Sequence, residues 1–432
     1  MSIRSNLLLS SALVASALVA GMHLLSAGAA VAEPAYMGAG SCASSNCHGS
    51  VSPRKATNVL QNEYVTWQKH DLHSQAWLVL GNEDSRRIAA HLGIKDAQQE
   101  PMCLVCHSTY KPDARRSANF QLEDGVSCEA CHGPAENYLG PHTATDATHA
   151  KNVELGMSDI VPVEARASMC IDCHTGAADR AVTHRLIGAG HPRLSFELDT
   201  YSMLEPKHWV VDDDYRERKG DYQPVQAWLV GQGVVADEML AMLQSPERSR
   251  DGMWPELSLM YCYTCHHSLA EEQWKDRTYG GRPGELRLNT ASLIILREAL
   301  AALDEAGAVA LRDGIEAMHN QFRDGIKPAV VQNVRATVKE TSGRLSKRSF
   351  SEREMRTLLR RLSSFCAGTG ALPYEVAEQV AMGMSSIQSA LSADGSLFKR
   401  EIDAVYAALK TPAEFRAADF TKSCGEFQAR LR

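Results

Sequence analysis

Ten of the twelve cysteines fall into five pairs, and a histidine follows the second cysteine of every pair: Cys42, Cys47 and His48; Cys103, Cys106 and His107; Cys128, Cys131 and His132; Cys170, Cys173 and His174; Cys262, Cys265 and His266. Four pairs read CxxCH and the first reads CxxxxCH. On a helical turn, residues i, i+3 and i+4 share a face, so one short segment can present two thiols and an imidazole together. That combination is the c-type haem attachment signature, with two thioether bonds to the porphyrin edge and the imidazole beneath the iron. In the longer motif the two extra residues must bulge out as a loop. A random chain of this composition would hold on the order of 0.01 CxxCH matches, so coincidence does not account for four.

Two other uses of paired cysteines fit less well. Cys103 and Cys106 with Cys128 and Cys131 have the spacing of a zinc ribbon, but a tetrahedral thiolate site needs no histidine after each pair, and five pairs cannot be matched two by two. Disulfides within the pairs leave the histidines equally unexplained.

Five irons carried from below by His48, His107, His132, His174 and His266 require up to five partners from above. Ten further histidines follow residue 32, and nine of them lie between His70 and His267. The leading candidates are His73, His142, His184 and His191, followed by His91, His149, His208 and His70. His267 directly follows a proximal ligand, so its side chain points away from that iron, and His319 lies in the remainder of the chain. Potentials would then be set by the opposite ligand, burial and hydrogen bonds to the ligands.

One motif per roughly 45 residues between Cys42 and His266 makes porphyrins a large part of the interior of that segment. The six tryptophans, Trp67, Trp77, Trp209, Trp228, Trp254 and Trp274, are expected to pack on haem faces and edges. Arg185 and Arg193 are placed to neutralise propionates. Helical character runs over 58–81 and 223–243, whereas the stretches around Pro134, Asp212 to Asp214 and Gly280 to Gly284 read as loops. Beyond Gly284 the texture changes. Leu311, Ile315, Met318 and Phe322, and then Val376, Val380, Met384, Ile387 and Leu391, recur at helical spacing. Ser351 with Glu354, and Thr411 and Pro412 with Glu414, read as helix starts. The fold class is therefore mainly α: a loop-rich multihaem cytochrome domain over 33–284, then a haem-free helical bundle over 285–432. The bundle holds the remaining cysteines, Cys366 and Cys424, for which a disulfide is favoured over two buried thiols.

The whole chain of 432 residues, 44% hydrophobic and 22% charged, has the composition of a globular protein. Its formal charge of -7 argues against nucleic acid as a partner. Residues 1–32 read as an export signal: Arg4, an apolar run from Leu7 to Leu25, and Ala30, Val31 and Ala32 before Glu33. An uncleaved anchor is the less favoured alternative. The expected location is the periplasm.

The CxxxxCH segment, the WxxxxxH stretch from Trp67 to His73, the CHGP sequence from Cys131 to Pro134 and the GHP sequence from Gly190 to Pro192 together resemble exported multihaem cytochromes of the cytochrome c554 family, over about residues 40 to 270. The resemblance implies a mostly helical protein with covalent haem c, haems in close pairs and largely bis-histidine ligation. It also implies electron transfer between periplasmic redox proteins, with hydroxylamine oxidoreductase a typical donor, and allows one haem without a distal protein ligand. The fifth motif and the long C-terminal extension depart from the tetrahaem pattern.

Three functions are compatible with these features. The leading one is a periplasmic electron carrier with five covalently attached haem c groups, serving periplasmic redox proteins or a membrane-bound quinone-linked or oxidoreductase partner. The second is a multihaem oxidoreductase acting on a small nitrogen or sulfur compound at an open iron. The third is a structural subunit of a conducting filament or membrane complex, with oligomers formed through the bundle. Residues Arg335, Lys339, Arg344, Lys347, Arg348, Arg353, Arg356, Arg360 and Arg361 form a basic run that is either a set of solvated helix faces or a docking surface for an acidic partner or anionic membrane. Ten histidines for five irons favour the carrier over the enzyme.

Overall fold

The computed structural model describes residues 33–54, 59–177, 180–246, 256–266, 286–322, 324–368 and 372–431. The export-signal reading, His267, Trp254, Trp274 and the loop expected at Gly280 to Gly284 lie outside them. Among the described residues the elements are helices and short 3-10 turns, with three isolated β-bridges and no strand. The mainly α expectation therefore holds.

The first ten helices are short: α1 Glu63–His70, α2 Ala76–Val79, α3 Glu83–Leu92, α4 Pro101–His107, α5 Cys128–His132, α6 His149–Glu154, α7 Val163–His174, α8 His184–Gly188, α9 Leu198–Leu204 and α10 Asp213–Lys219. Their ends are fixed by local chemistry. Asn82 caps α3 by accepting from the Ser85 amide at 2.8 Å, and Gly93 ends it at φ 74°. Pro101 occupies the first turn of α4 behind a Glu100 cap. The continuous helical character expected over 58–81 is interrupted, because Asp71 is extended and its carboxylate accepts from the His73 amide at 3.0 Å. Asp212 to Asp214, expected as loop, instead start a helix: Asp212 caps α10 through the Tyr215 amide. A run of short acidic residues reads as loop, yet it also suits a first turn.

The remaining helices are longer: α11 Pro224–Gln244, α12 Ala291–Leu303, α13 Glu305–Gln321, α14 Pro328–Leu345, α15 Glu352–Gly368, α16 Tyr374–Leu391, α17 Lys399–Leu409 and α18 Ala417–Arg430. The two periodic runs become the buried stripes of α13 and α16, where Leu311, Ile315, Met318, Val376, Val380, Met384 and Ile387 are fully enclosed. Ser351 and Glu354 form a reciprocal capping box at the start of α15. The Thr411 box closes one turn only, and α18 begins at Ala417. The chain leaves the helical path at Arg416 because Phe415 is drawn inward against Tyr263 and Tyr374. Cys366 and Cys424 are disulfide-bonded, tying α15 to α18.

α11 lies against α14, α12, α16 and α7. Its Trp228 is fully buried against Gly383 of α16, where a Cβ would approach the indole to 2.5 Å. This tryptophan thus serves the helical core and not a haem face. The main cluster of buried apolar residues runs from Val163 to Phe427, on both sides of residue 284. Before Val163 the only other cluster among the described residues is small, formed by Leu80, Ala89, Ala97 and Leu104. The described residues before Val163, which carry the first three motifs, thus have little apolar interior of their own, whereas those from Val163 to Tyr263 share the core of the C-terminal helices.

Candidate haem sites

Each of the five motif histidines faces one other histidine ring. His48 faces His142 with centroids 6.2 Å apart, His107 faces His191 at 6.4 Å, and His132 faces His208 at 6.3 Å. His174 faces His73 at 6.0 Å and His266 faces His184 at 6.4 Å. A ring nitrogen lies about 1.1 Å from its ring centroid, and a metal–imidazole bond is about 2.0 Å. Two imidazoles on opposite sides of one metal therefore have centroids about 6.2 Å apart. All five pairs fit an iron held between two imidazoles. Their ring planes differ: 9° at His48/His142 and 34° at His184/His266, against 79°, 87° and 79° at the other three.

The four leading histidines of the sequence ranking, His73, His142, His184 and His191, each face a motif histidine. His208 does so as well and outranks its expected group. His70 is exposed at the end of α1. His91 uses its Nδ1 on the Ala189 carbonyl at 3.1 Å, and His149 pairs with Asp159 at the surface. His319 is half-buried in the bundle, with Nδ1 on the Ile315 carbonyl.

Hydrogen bonds to Nδ1 leave Nε2 free for a metal in half of these ligands. His48 Nδ1 meets Glu63 at 2.9 Å and His73 Nδ1 meets Asp71 at 2.9 Å. Backbone carbonyls of Ala76, Tyr138 and Pro192 accept from His107, His142 and His191 at 3.0, 3.0 and 2.7 Å. Burial pushes His132 and His174 down to about 4, so both are neutral imidazoles at neutral pH.

The first four ring pairs line one continuous cavity of about 2540 Å³. Apolar side chains on its wall, including Leu72 and Leu204, are 83% and 74% exposed, and a porphyrin set between the ring pairs would cover such surface. Trp67 and Trp209 also line it, whereas Trp77 points its indole nitrogen at the Gln98 carbonyl. Arg185 lines the cavity, but Arg193, expected to neutralise a propionate, turns to Glu378 at 2.6 Å. The cysteines of separate motifs adjoin. Cys42 is in hydrogen-bond contact with Cys128, and Cys106 with Cys173, while Cys131 feels Cys170 and Cys173. Among the described residues no group of three or more His, Cys, Asp or Glu could hold a bare metal ion, so the ribbon pairing of Cys103 and Cys106 with Cys128 and Cys131 does not form.

Gly133 of the CHGP sequence has φ 78°, and a Cβ there would meet the Gly156 carbonyl oxygen at 2.8 Å. The glycine lets the chain leave the third motif directly against 156–158. Glu63 and Asp71 carry no such signature in the sequence, although an acid two residues before a histidine, as in Asp71 and His73, is a local cue.

Residues 41–133 match the family model described as cytochrome c554 and c-prime, a stretch that holds the first three motifs. No curated protein matches the chain, and no solved structure does. The match supports a c554-like multihaem c-type cytochrome, a family that implies covalently bound haem c and electron transfer. Among the described residues no helix is long and apolar enough to cross a membrane.

Proposed function

We propose that this c554-like cytochrome is an exported carrier that binds five haem c groups, each between two imidazoles, and passes electrons between periplasmic redox proteins. The observation that carries the reading is the set of five ring pairs at 6.0 to 6.4 Å. Each bound haem supplies a one-electron iron couple whose potential the protein sets through ligands, burial and hydrogen bonds.

The chain's own residues do the rest. The cysteine pairs and their histidines fix each group covalently and from below. His142, His191, His208, His73 and His184 would complete the ligand sets of the first to fifth motifs, which would leave no iron position for a small substrate. Adjoining cysteines place the first motif beside the third, the third beside the fourth and the fourth beside the second. The fifth joins the second through one short segment, since His184 and His191 are the opposite ligands of those two sites. Glu63 and Asp71 place negative charge behind His48 and His73, which would favour the ferric state of an iron bound there.

The oxidoreductase alternative needs an iron without an opposite ligand, and every motif histidine has a facing imidazole. Mass spectrometry of the mature protein tests the reading: five haem additions are expected with residues 1–32 removed. Four additions, or a chain retaining the leader, would contradict it.

A further inference from the structure

The fifth motif is built into the C-terminal helices. Its lead-in pairs with the segment entering α12: the Tyr261 amide donates to the Arg287 carbonyl at 2.9 Å and the Asn289 amide to the Leu259 carbonyl at 2.8 Å. From α16, Glu375 Oε1 accepts the Cys262 amide at 2.8 Å and the Tyr263 amide at 3.4 Å. The other carboxylate oxygen of Glu375 is buried without a hydrogen-bond partner among the described residues. Tyr263 packs edge-on against Phe415, which packs in turn against Tyr374. On the opposite side, Glu256 Oε1 accepts the His184 amide at 2.8 Å and the Ser258 amide at 2.9 Å. Both carboxylates are nearly inaccessible to solvent. Each of the two segments carrying an imidazole of this site is thus pinned by one buried glutamate.

We propose that the C-terminal helices form the outer half of the fifth haem site, with Glu375 and Glu256 as positioning residues that fix the approach of His266 and His184. This rests on the five-haem reading above. Buried amides left without an acceptor are costly, so losing either carboxylate releases its segment. The imidazoles of the other four ring pairs lie between His48 and His208, and the hydrogen bonds of Glu375 go to the Cys262 and Tyr263 amides and to none of their segments.

The test uses the mature holoprotein. Wild type minus Cys262→Ala/Cys265→Ala isolates the paramagnetic spectrum and midpoint potential of the fifth centre. Mass spectrometry should find five haems in wild type and four in that double variant. In Glu375→Ala the isolated low-spin signal should be lost from its wild-type position and its potential displaced, with four centres unchanged. Glu375→Gln keeps an acceptor for both amides and should restore the signal. Glu298→Ala removes a buried carboxylate of α12 away from the site and should leave the fifth centre as in wild type. Four haems in wild type would overturn the five-haem reading and this proposal with it. Five haems with a fifth centre indifferent to Glu375→Ala, or equally altered by Glu298→Ala, would overturn the proposal alone.

Discussion

Replacing Glu63 with Gln removes a charge from behind one ligand and leaves the backbone alone. Glu63 Oε2 lies 2.9 Å from His48 Nδ1, and the carboxylate is 17% exposed. A hydrogen bond to a charged group contributes about 1.5 to 3 kcal/mol net. If about half of that differs between ferric and ferrous iron, the ferric state loses roughly 0.8 to 1.5 kcal/mol in the variant. At 59 mV per 1.4 kcal/mol for one electron, the midpoint potential of the first site rises by about 30 to 60 mV. An electron paramagnetic resonance-monitored redox titration can single out that site. Near-parallel imidazole planes give a rhombic low-spin spectrum, and only the pairs at 9° and 34° are close to parallel. One of the two rhombic signals should move upward and the rest should stay. A fall in potential, or a shift confined to a strongly anisotropic signal, would refute the assignment of Glu63 to the first site.

The same ring geometry predicts three highly anisotropic low-spin signals from the pairs at 79°, 87° and 79°, and frozen-solution spectra count them directly. Asp71→Asn should raise the potential of the fourth site for the reason given for Glu63 and leave the first untouched. The Cys366–Cys424 disulfide closes a loop of 58 residues, so Cys366→Ala/Cys424→Ala should destabilise the bundle by about 4 kcal/mol in the chain-entropy account. Thermal unfolding should register that loss while haem absorption at room temperature is unchanged. Burial raises the Glu197 carboxyl from 4.5 to about 7, so the native state holds a proton that the unfolded chain releases. Its contribution to stability is complete below about pH 4.5 and declines as pH rises through about 7, by up to about 3 kcal/mol. Denaturant unfolding at pH 5 and pH 8 should show a smaller difference in Glu197→Gln than in wild type.

Attachment chemistry was legible because it is local: two thiols and an imidazole on one turn carry their own signature. The opposite ligands are a matter of tertiary contact, yet the scarcity of histidine outside the motifs narrowed the field to a few positions. His208 ranked low because its surroundings, Lys207 and Trp209, carry no distinctive spacing. The helices after Gly284 were readable from period alone, as at Leu311, Ile315 and Met318. The basic run was not, since charge partners come from elsewhere in the chain. Arg335 pairs with Asp237, Arg344 with Asp304 and Arg361 with Glu298, while Arg356 pairs with Glu352 of its own helix. Much of the apparent positive patch is thereby neutralised, which weakens it as a docking surface. Glu375 and Glu256 were invisible for the same reason: nothing in the sequence says which buried acid will hold a distant amide.

Spin quantitation of the fully oxidised protein against its total iron tests the central claim most directly. Five low-spin ferric centres per chain and no high-spin signal are expected from five irons each closed by two imidazoles. A high-spin signal amounting to one iron per chain would mean an open position, and would return the protein to the class of substrate-transforming haem enzymes.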